Sequence, residues 1–154
     1  MISEVIQHIH PIIVHFPIAI ITIAFLYDVF NAFREGAFLP ERGLALWIIA
    51  VIAAWISVGT GPEEHARGNT AYLGVHSTLA NLTSIIVSVI AAYRLWLTIT
   101  NKKALFNKLK YLYLIISVIA VVFIFSVGYY GGKMVYDDGI GVKVNNTYVN
   151  PSRK

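Results

Sequence analysis

No cysteine occurs anywhere in the 154 residues. That absence excludes disulfides, c-type haem attachment, cysteine-ligated iron–sulfur clusters and blue copper together. Charge is scarce as well: Asp, Glu, Lys and Arg make up 13% of the chain, where a soluble domain carries about 25%. No HExxH pair, no phosphate-cradling glycine loop and no Ser/His/Asp order appears, so zincin, P-loop and triad chemistry are all unsupported. The formal net charge is +4, yet its basic residues flank apolar runs instead of forming a patch with interleaved aromatics. They read as membrane topology, with no nucleic acid as partner.

What the chain does have is apolar length. It is 57% hydrophobic with mean hydropathy +0.68, the balance of an integral membrane protein whose first partner is the lipid bilayer. The run over residues 12–33 spans about 33 Å as a helix, enough for a hydrocarbon core of roughly 30 Å. It has no basic leader, carries Asp28 and lacks a small-residue cleavage site, so it reads as a retained span and not a signal peptide. Further helices are expected over residues 44–60, 72–99 and 111–130, separated by a turn at Pro40, the polar loop from Glu63 to Asn69, and a lysine-rich loop. Arg94 and Trp96 are expected to anchor the end of the third helix among headgroups, and Tyr111, Tyr113, Tyr129 and Tyr130 to form aromatic belts. Asp28 and Arg94 lie near the same end and can pair, or Arg94 can snorkel alone.

Four spans with short loops imply an all-α, up-down-up-down transmembrane four-helix bundle over residues 1–132, with helices 1 and 3 on one diagonal. Residues 133–154 form a short polar tail in which residues 143–148 suit a short strand or ordered cap. Seven basic residues (Arg34, Arg42, Arg94, Lys102, Lys103, Lys108, Lys110) face three acidic ones at one end, while five of each balance at the other. The positive-inside rule then places both termini outside the cytoplasmic membrane. Asn145-Asn146-Thr147 is an acceptor sequon on that outer side.

Three of the five histidines, His8, His10 and His15, open the first span; His65 and His76 precede or open the third. All five therefore gather at the outer end. An ionisable residue inside a span is costly to bury and usually faces a partner within the bundle. His15 and His76 are expected at equal depth, with small residues below each at the same spacing: Ala19 and Thr22, Ala80 and Thr83. A bundle diagonal of roughly 14 Å suits a flat macrocycle held between two imidazoles. Two other readings stay open: the small residues, including Ala50, Ala54 and Ser57, can be packing seams, and His10 with His65 can be solvated, can hold a second haem or, with nearby carboxylates, can bind a surface metal ion.

The segments His10-Pro11-Ile12-Ile13-Val14-His15-Phe16-Pro17-Ile18, His76 to Asn81, and Gly131-Gly132-Lys133-Met134-Val135-Tyr136 with Gly139-Ile140-Gly141-Val142 resemble a family of small prokaryotic membrane proteins catalogued as a domain of unknown function. The resemblance covers essentially the whole chain. It places the family's signature histidines on His10 and His15, with His76 matching in helix 3. Because some members are fused to Rieske domains, it implies a setting near membrane electron transfer.

The expectation is a b-type haem electron-transfer protein or subunit: His15 and His76 as axial ligands, His10 and His65 as a second set, and Arg67 and Lys133 toward the propionates. It is an electron carrier or accessory subunit sooner than a stand-alone enzyme. The alternatives are a structural or assembly subunit whose histidines bridge helices, and an outer-surface metal-binding protein. The charge asymmetry carries its own test: a topology reporter fused after Lys154 is expected to be active only outside the cytoplasm, and activity inside would invert the assignment of the histidine end.

Overall fold

The computed structural model describes residues 9–34, 39–61, 68–100 and 108–151. Four long helices carry the fold: α1 (His15–Arg34), α2 (Leu44–Thr60), α3 (Leu73–Ile99) and α4 (Lys108–Tyr136), followed by a hairpin of β1 (Lys143–Val144) and β2 (Thr147–Tyr148). Three apolar helical stretches, Ile9–Arg34, Leu73–Ile99 and Leu109–Tyr136, are long enough to cross a membrane, and Leu44–Thr60 is a shorter apolar helix. α1 packs on α2 and α4, and α3 packs on the same two. The C-terminal part of α1 meets the N-terminal part of α2 through Asp28 and Trp47, while the N-terminal part of α3 meets the C-terminal part of α4 through His76 and Val127.

Apolar bulk is on the outside. Phe30, Ile52, Val89, Ile115 and Val122 are all exposed, as suits helices whose surroundings are acyl chains. The interior mixes large apolar side chains such as Ile21, Trp47, Val87 and Leu97 with small and hydroxyl ones: Ala24, Ala50, Ala54 and Ala120 are buried, and so are Thr83, Ser84 and Ser117. The hydroxyls of Thr83, Ser84 and Ser117 each donate to the carbonyl one turn back in their own helix, which satisfies them without a partner helix. Alanines let the backbones approach closely, so packing contact replaces a hydrophobic driving force that lipid cannot supply. The Ala50 and Ala54 stripe belongs to this seam.

Proline and glycine set the ends. Helical residues 9–13 lead into α1 past Val14, because Pro17 has no N–H to give the Ile13 carbonyl. Val14 N–H still bonds the His10 carbonyl at 3.0 Å, so the axis continues. α4 does not stop before Gly131-Gly132, where the sequence suggested a tail; it runs to Tyr136. The stop is set by Gly139, at φ +65°, with Gly139 N–H bonding Val135 O and Ile140 N–H bonding Met134 O. This is a Schellman closure, which needs a left-handed residue.

The tail is ordered. β1 and β2 pair antiparallel across Asn145 and Asn146, both at positive φ, the conformation a type I′ hairpin requires. Asn150 then docks the hairpin onto the start of α3: its Nδ2 donates to Asn69 O and Asp138 O at 2.9 and 2.8 Å, and its Oδ1 accepts from Asn69 N–H at 2.9 Å.

Candidate functional site

Two polar poles lie inside the bundle, and the better defined of them is the one that the sequence reading underrated. Asp28 on α1, Trp47 on α2, Arg94 on α3 and Tyr113 on α4 are all buried, so each helix contributes one side chain. Asp28 Oδ2 accepts from Trp47 Nε1 at 2.7 Å, from Arg94 Nη1 at 2.6 Å and from the Tyr113 hydroxyl. Arg94 Nη1 also lies 2.8 Å from the Tyr113 hydroxyl oxygen, Nε donates to Pro40 O at 3.2 Å, and Nη2 donates to Arg42 O. A buried guanidinium is tolerable only when its donors and its charge are matched. Here a carboxylate and two carbonyls of the segment entering α2 do both.

Arg94 is thus not a snorkelling anchor. Its side chain is fully enclosed, while Trp96 remains exposed at 48% and stacks on Tyr93. The tyrosine belt divides likewise: Tyr111 is outside and Tyr113 inside. Gly43 completes the pole, since it sits at φ +74° and a Cβ there would come within 2.9 Å of the Tyr27 ring and 3.3 Å of Asp28 Oδ1. Trp47, Tyr113 and the Pro40 carbonyl were not foreseen. The available signal was the phase of the helices: Asp28 and Arg94 each fall on the buried face of their own helix.

The same phase decides which histidines turn inward. The buried face of α1 runs through Pro17, Ile21, Ala24, Asp28 and Ala32. His15 precedes Pro17 by two residues, about 200° round the helix, and is exposed along with Ala19. The expectation that His15 faces His76 above a shared pair of small residues is therefore corrected: equal depth does not imply equal phase. Thr22 spends its hydroxyl on the Ile18 carbonyl.

His10 takes the inward position instead. It precedes Asp28 by 18 residues, and His76 precedes Arg94 by 18, about five whole turns in each case. His76 lies on the same unbroken helix as Arg94, and His10 lies in the helical residues that precede α1. Both histidines are partly buried. His76 Nδ1 lies 3.0 Å from Val127 O, and a carbonyl only accepts, so the proton is on Nδ1. His10 Nδ1 lies 3.3 Å from Thr60 Oγ1, which is also 3.1 Å from Ser57 O. In a neutral His76 ring the proton on Nδ1 leaves the lone pair on Nε2. Gly131 makes room for this arrangement, because a Cβ there would press within 3.3 Å of the His76 ring.

Lys133, expected near a propionate, bonds Asp137 at 2.7 Å and lies 5.0 and 5.7 Å from the Tyr72 and Tyr129 ring centroids. His65 and Arg67 lie outside the described residues. Among the described residues, no group of three or more His, Asp or Glu side chains is placed to hold a metal ion.

An apolar exterior wrapped round buried ionic and hydroxyl groups defines a helical membrane protein. Residues 7–144 match the family described as predicted membrane protein (DUF2231), and the chain belongs to that family. No curated protein and no solved structure matches it.

The Asp28 pole yields a stability prediction. Arg94→Leu or Asp28→Leu strands a buried charge and is expected to cost about 3–5 kcal/mol. The double replacement removes both charges and is expected to recover part of that loss. Thermal unfolding in detergent reads both effects, and equal, additive losses would show that the pair is not coupled.

Proposed function

We propose that the chain is an up-down-up-down transmembrane bundle of the cytoplasmic membrane, both termini outside, that holds haem b at its outer end and carries electrons. His10 and His76 are the axial ligands in this reading, with His76 kept from the sequence expectation and His10 replacing His15. The observation that carries it is the pair of Nδ1 hydrogen bonds, His10 with Thr60 and His76 with Val127 O, read here as two Nδ1–H tautomers. Metal-bound histidines characteristically donate the other ring N–H to a carbonyl or similar acceptor, which orients the ring and leaves one nitrogen for the metal. Thr60 and Val127 play that part here, one from each neighbouring helix.

Haem held by these two rings would supply one-electron chemistry. The chain's own share is to hold the two rings, to set their tautomers and to exclude water with the alanine-lined interior. Its natural setting is a membrane electron-transfer complex, with a Rieske-type protein among the candidate partners.

A second reading is favoured by the same bonds. His10 joins α1 to α2 and His76 joins α3 to α4, so a structural subunit could use them purely as interhelical ties. Spectra of protein expressed with ample haem separate the two. A low-spin spectrum is expected, lost in His10→Ala and in His76→Ala and retained in His15→Ala. Stable, colourless wild-type protein would leave the structural reading in place, and loss confined to His15→Ala would reverse the choice of ligand.

A further inference from the structure

Most of the lipid-facing surface is what acyl chains require: α1 turns Phe16, Ile23, Leu26 and Phe30 outward, and α4 turns Leu112, Ile115, Val122 and Phe125. α3 departs from this. Its buried face runs through Thr83, Val87, Ile90, Arg94 and Leu97, and the opposite face carries Gly74, Thr78, Asn81, Ile85 and Ala92, all exposed. Asn81 lies about 7.5 Å from the midpoint of α3 at Ile86, well inside a hydrocarbon core of roughly 30 Å. Its Nδ2 donates to Ser77 O at 2.9 Å, and its Oδ1 carbonyl makes no hydrogen bond among the described residues. The Thr78 hydroxyl beside it makes none either, whereas Ser77, Thr83, Ser84, Ser88 and Thr98 of the same helix each donate to a carbonyl one turn back.

An unpaired amide in hydrocarbon is costly because no water reaches it, so it calls for a partner from outside the chain. We infer that this partner is the same amide of a second copy: α3 packs on α3 across a two-fold axis along the membrane normal, and the two Asn81 side chains exchange hydrogen bonds. A carboxamide is both donor and acceptor, so two of them close both bonds with no third group. A copy inserted in the same sense presents its amide at the same depth by symmetry, a match that an unrelated helix meets only by coincidence. The spacing agrees. From Gly74 the exposed positions recur after four, three, four and seven residues, the 3.5-residue period of a left-handed helix pair, in which a seam asparagine fixes register. A Cβ at Gly74 would meet nothing within 4 Å, so a second backbone can approach closely there.

Charge does not oppose the contact. Arg94 is the only Asp, Glu, Lys or Arg residue in α3, and it is enclosed within its own bundle, so two copies bring no like charges together. A lipid headgroup is not the partner, because Asn81 lies below headgroup level. His76 is on the inward side of the same helix, bonded to Val127 O, and the pairing of copies does not depend on what the histidines bind.

Because the chain has no cysteine, single cysteines in the full chain report the interface directly. In liposomes under copper–phenanthroline oxidation, Ile85→Cys and Ala92→Cys are expected to form disulfide-linked dimers, and Phe30→Cys on α1 and Ile115→Cys on α4 to stay monomeric. Förster transfer between labelled copies, followed as lipid dilutes the protein, reads the affinity. Asn81→Leu is expected to weaken the dimer about tenfold, and Asn81→Gln, which keeps the amide, to retain most of it. Each variant is first shown in dilute detergent to be monodisperse and to unfold cooperatively; should Asn81→Leu fail that check, the pattern of cross-linking decides. A chain that is monomeric at every protein-to-lipid ratio overturns the proposal, as does a dimer that cross-links through α1 or α4 or is unchanged by Asn81→Leu. So does a monomeric chain that co-purifies with a different membrane subunit and loses it in Asn81→Leu.

Discussion

The ion pair between Asp28 and Arg94 is the interaction on which the rest of the bundle depends. Sealed among four helices, with exposures of 2% and 0%, the two charges can stay ionised only if every donor finds an acceptor. That demand fixes more than one contact. It sets the rotation of α1 and α3, brings Trp47 and Tyr113 to the same carboxylate oxygen, and pins the Pro40 and Arg42 carbonyls at the entrance to α2. Apolar contacts in the core around Ile21, Trp47 and Val87 are non-directional. A buried ion pair, by contrast, fits in one register only.

Register at one pole becomes geometry at the other. α3 is unbroken from His76 to Arg94, so fixing its phase at Arg94 also fixes it about five turns away at His76, while His10 lies beyond the turn at Val14 and is placed by its own bond to Thr60. Thr60 and the Val127 carbonyl then orient the two rings. The two poles differ in kind: the first is a closed network that joins all four helices, and the second ties two histidines, each through its Nδ1, to a neighbouring helix.

Much of this was legible from the residues, and what was not has a physical cause. Hydropathy and length were enough to find the four helices, because a span in lipid must be apolar for most of its length. The histidine end followed from where His10, His15 and His76 fall in those spans. Their relative exposure was not legible, because depth can be counted from a span's first residue, whereas phase needs to know which face is buried; α1 is apolar almost all round, and its inward face is marked mainly by Asp28. Tyr113 was hidden for a related reason, since tyrosine near a span's end looks the same in a lipid belt as against an arginine. The extension of α4 past Gly131 was obscured because helical glycine reads as a stop unless something packs against it, and here that something is His76 from another helix.

The central claim is that the fold presents His10 and His76 inward as Nδ1–H tautomers. Nitrogen-15 NMR of histidine-labelled protein, prepared without haem and with His10 and His76 assigned by single replacement, reads this directly, and five histidines make the spectrum tractable. The account predicts that both rings carry the proton on Nδ1, that Thr60→Val shifts the His10 tautomer alone, and that His15 behaves as a separate, unheld ring. Finding the proton on Nε2 in both His10 and His76 would contradict it.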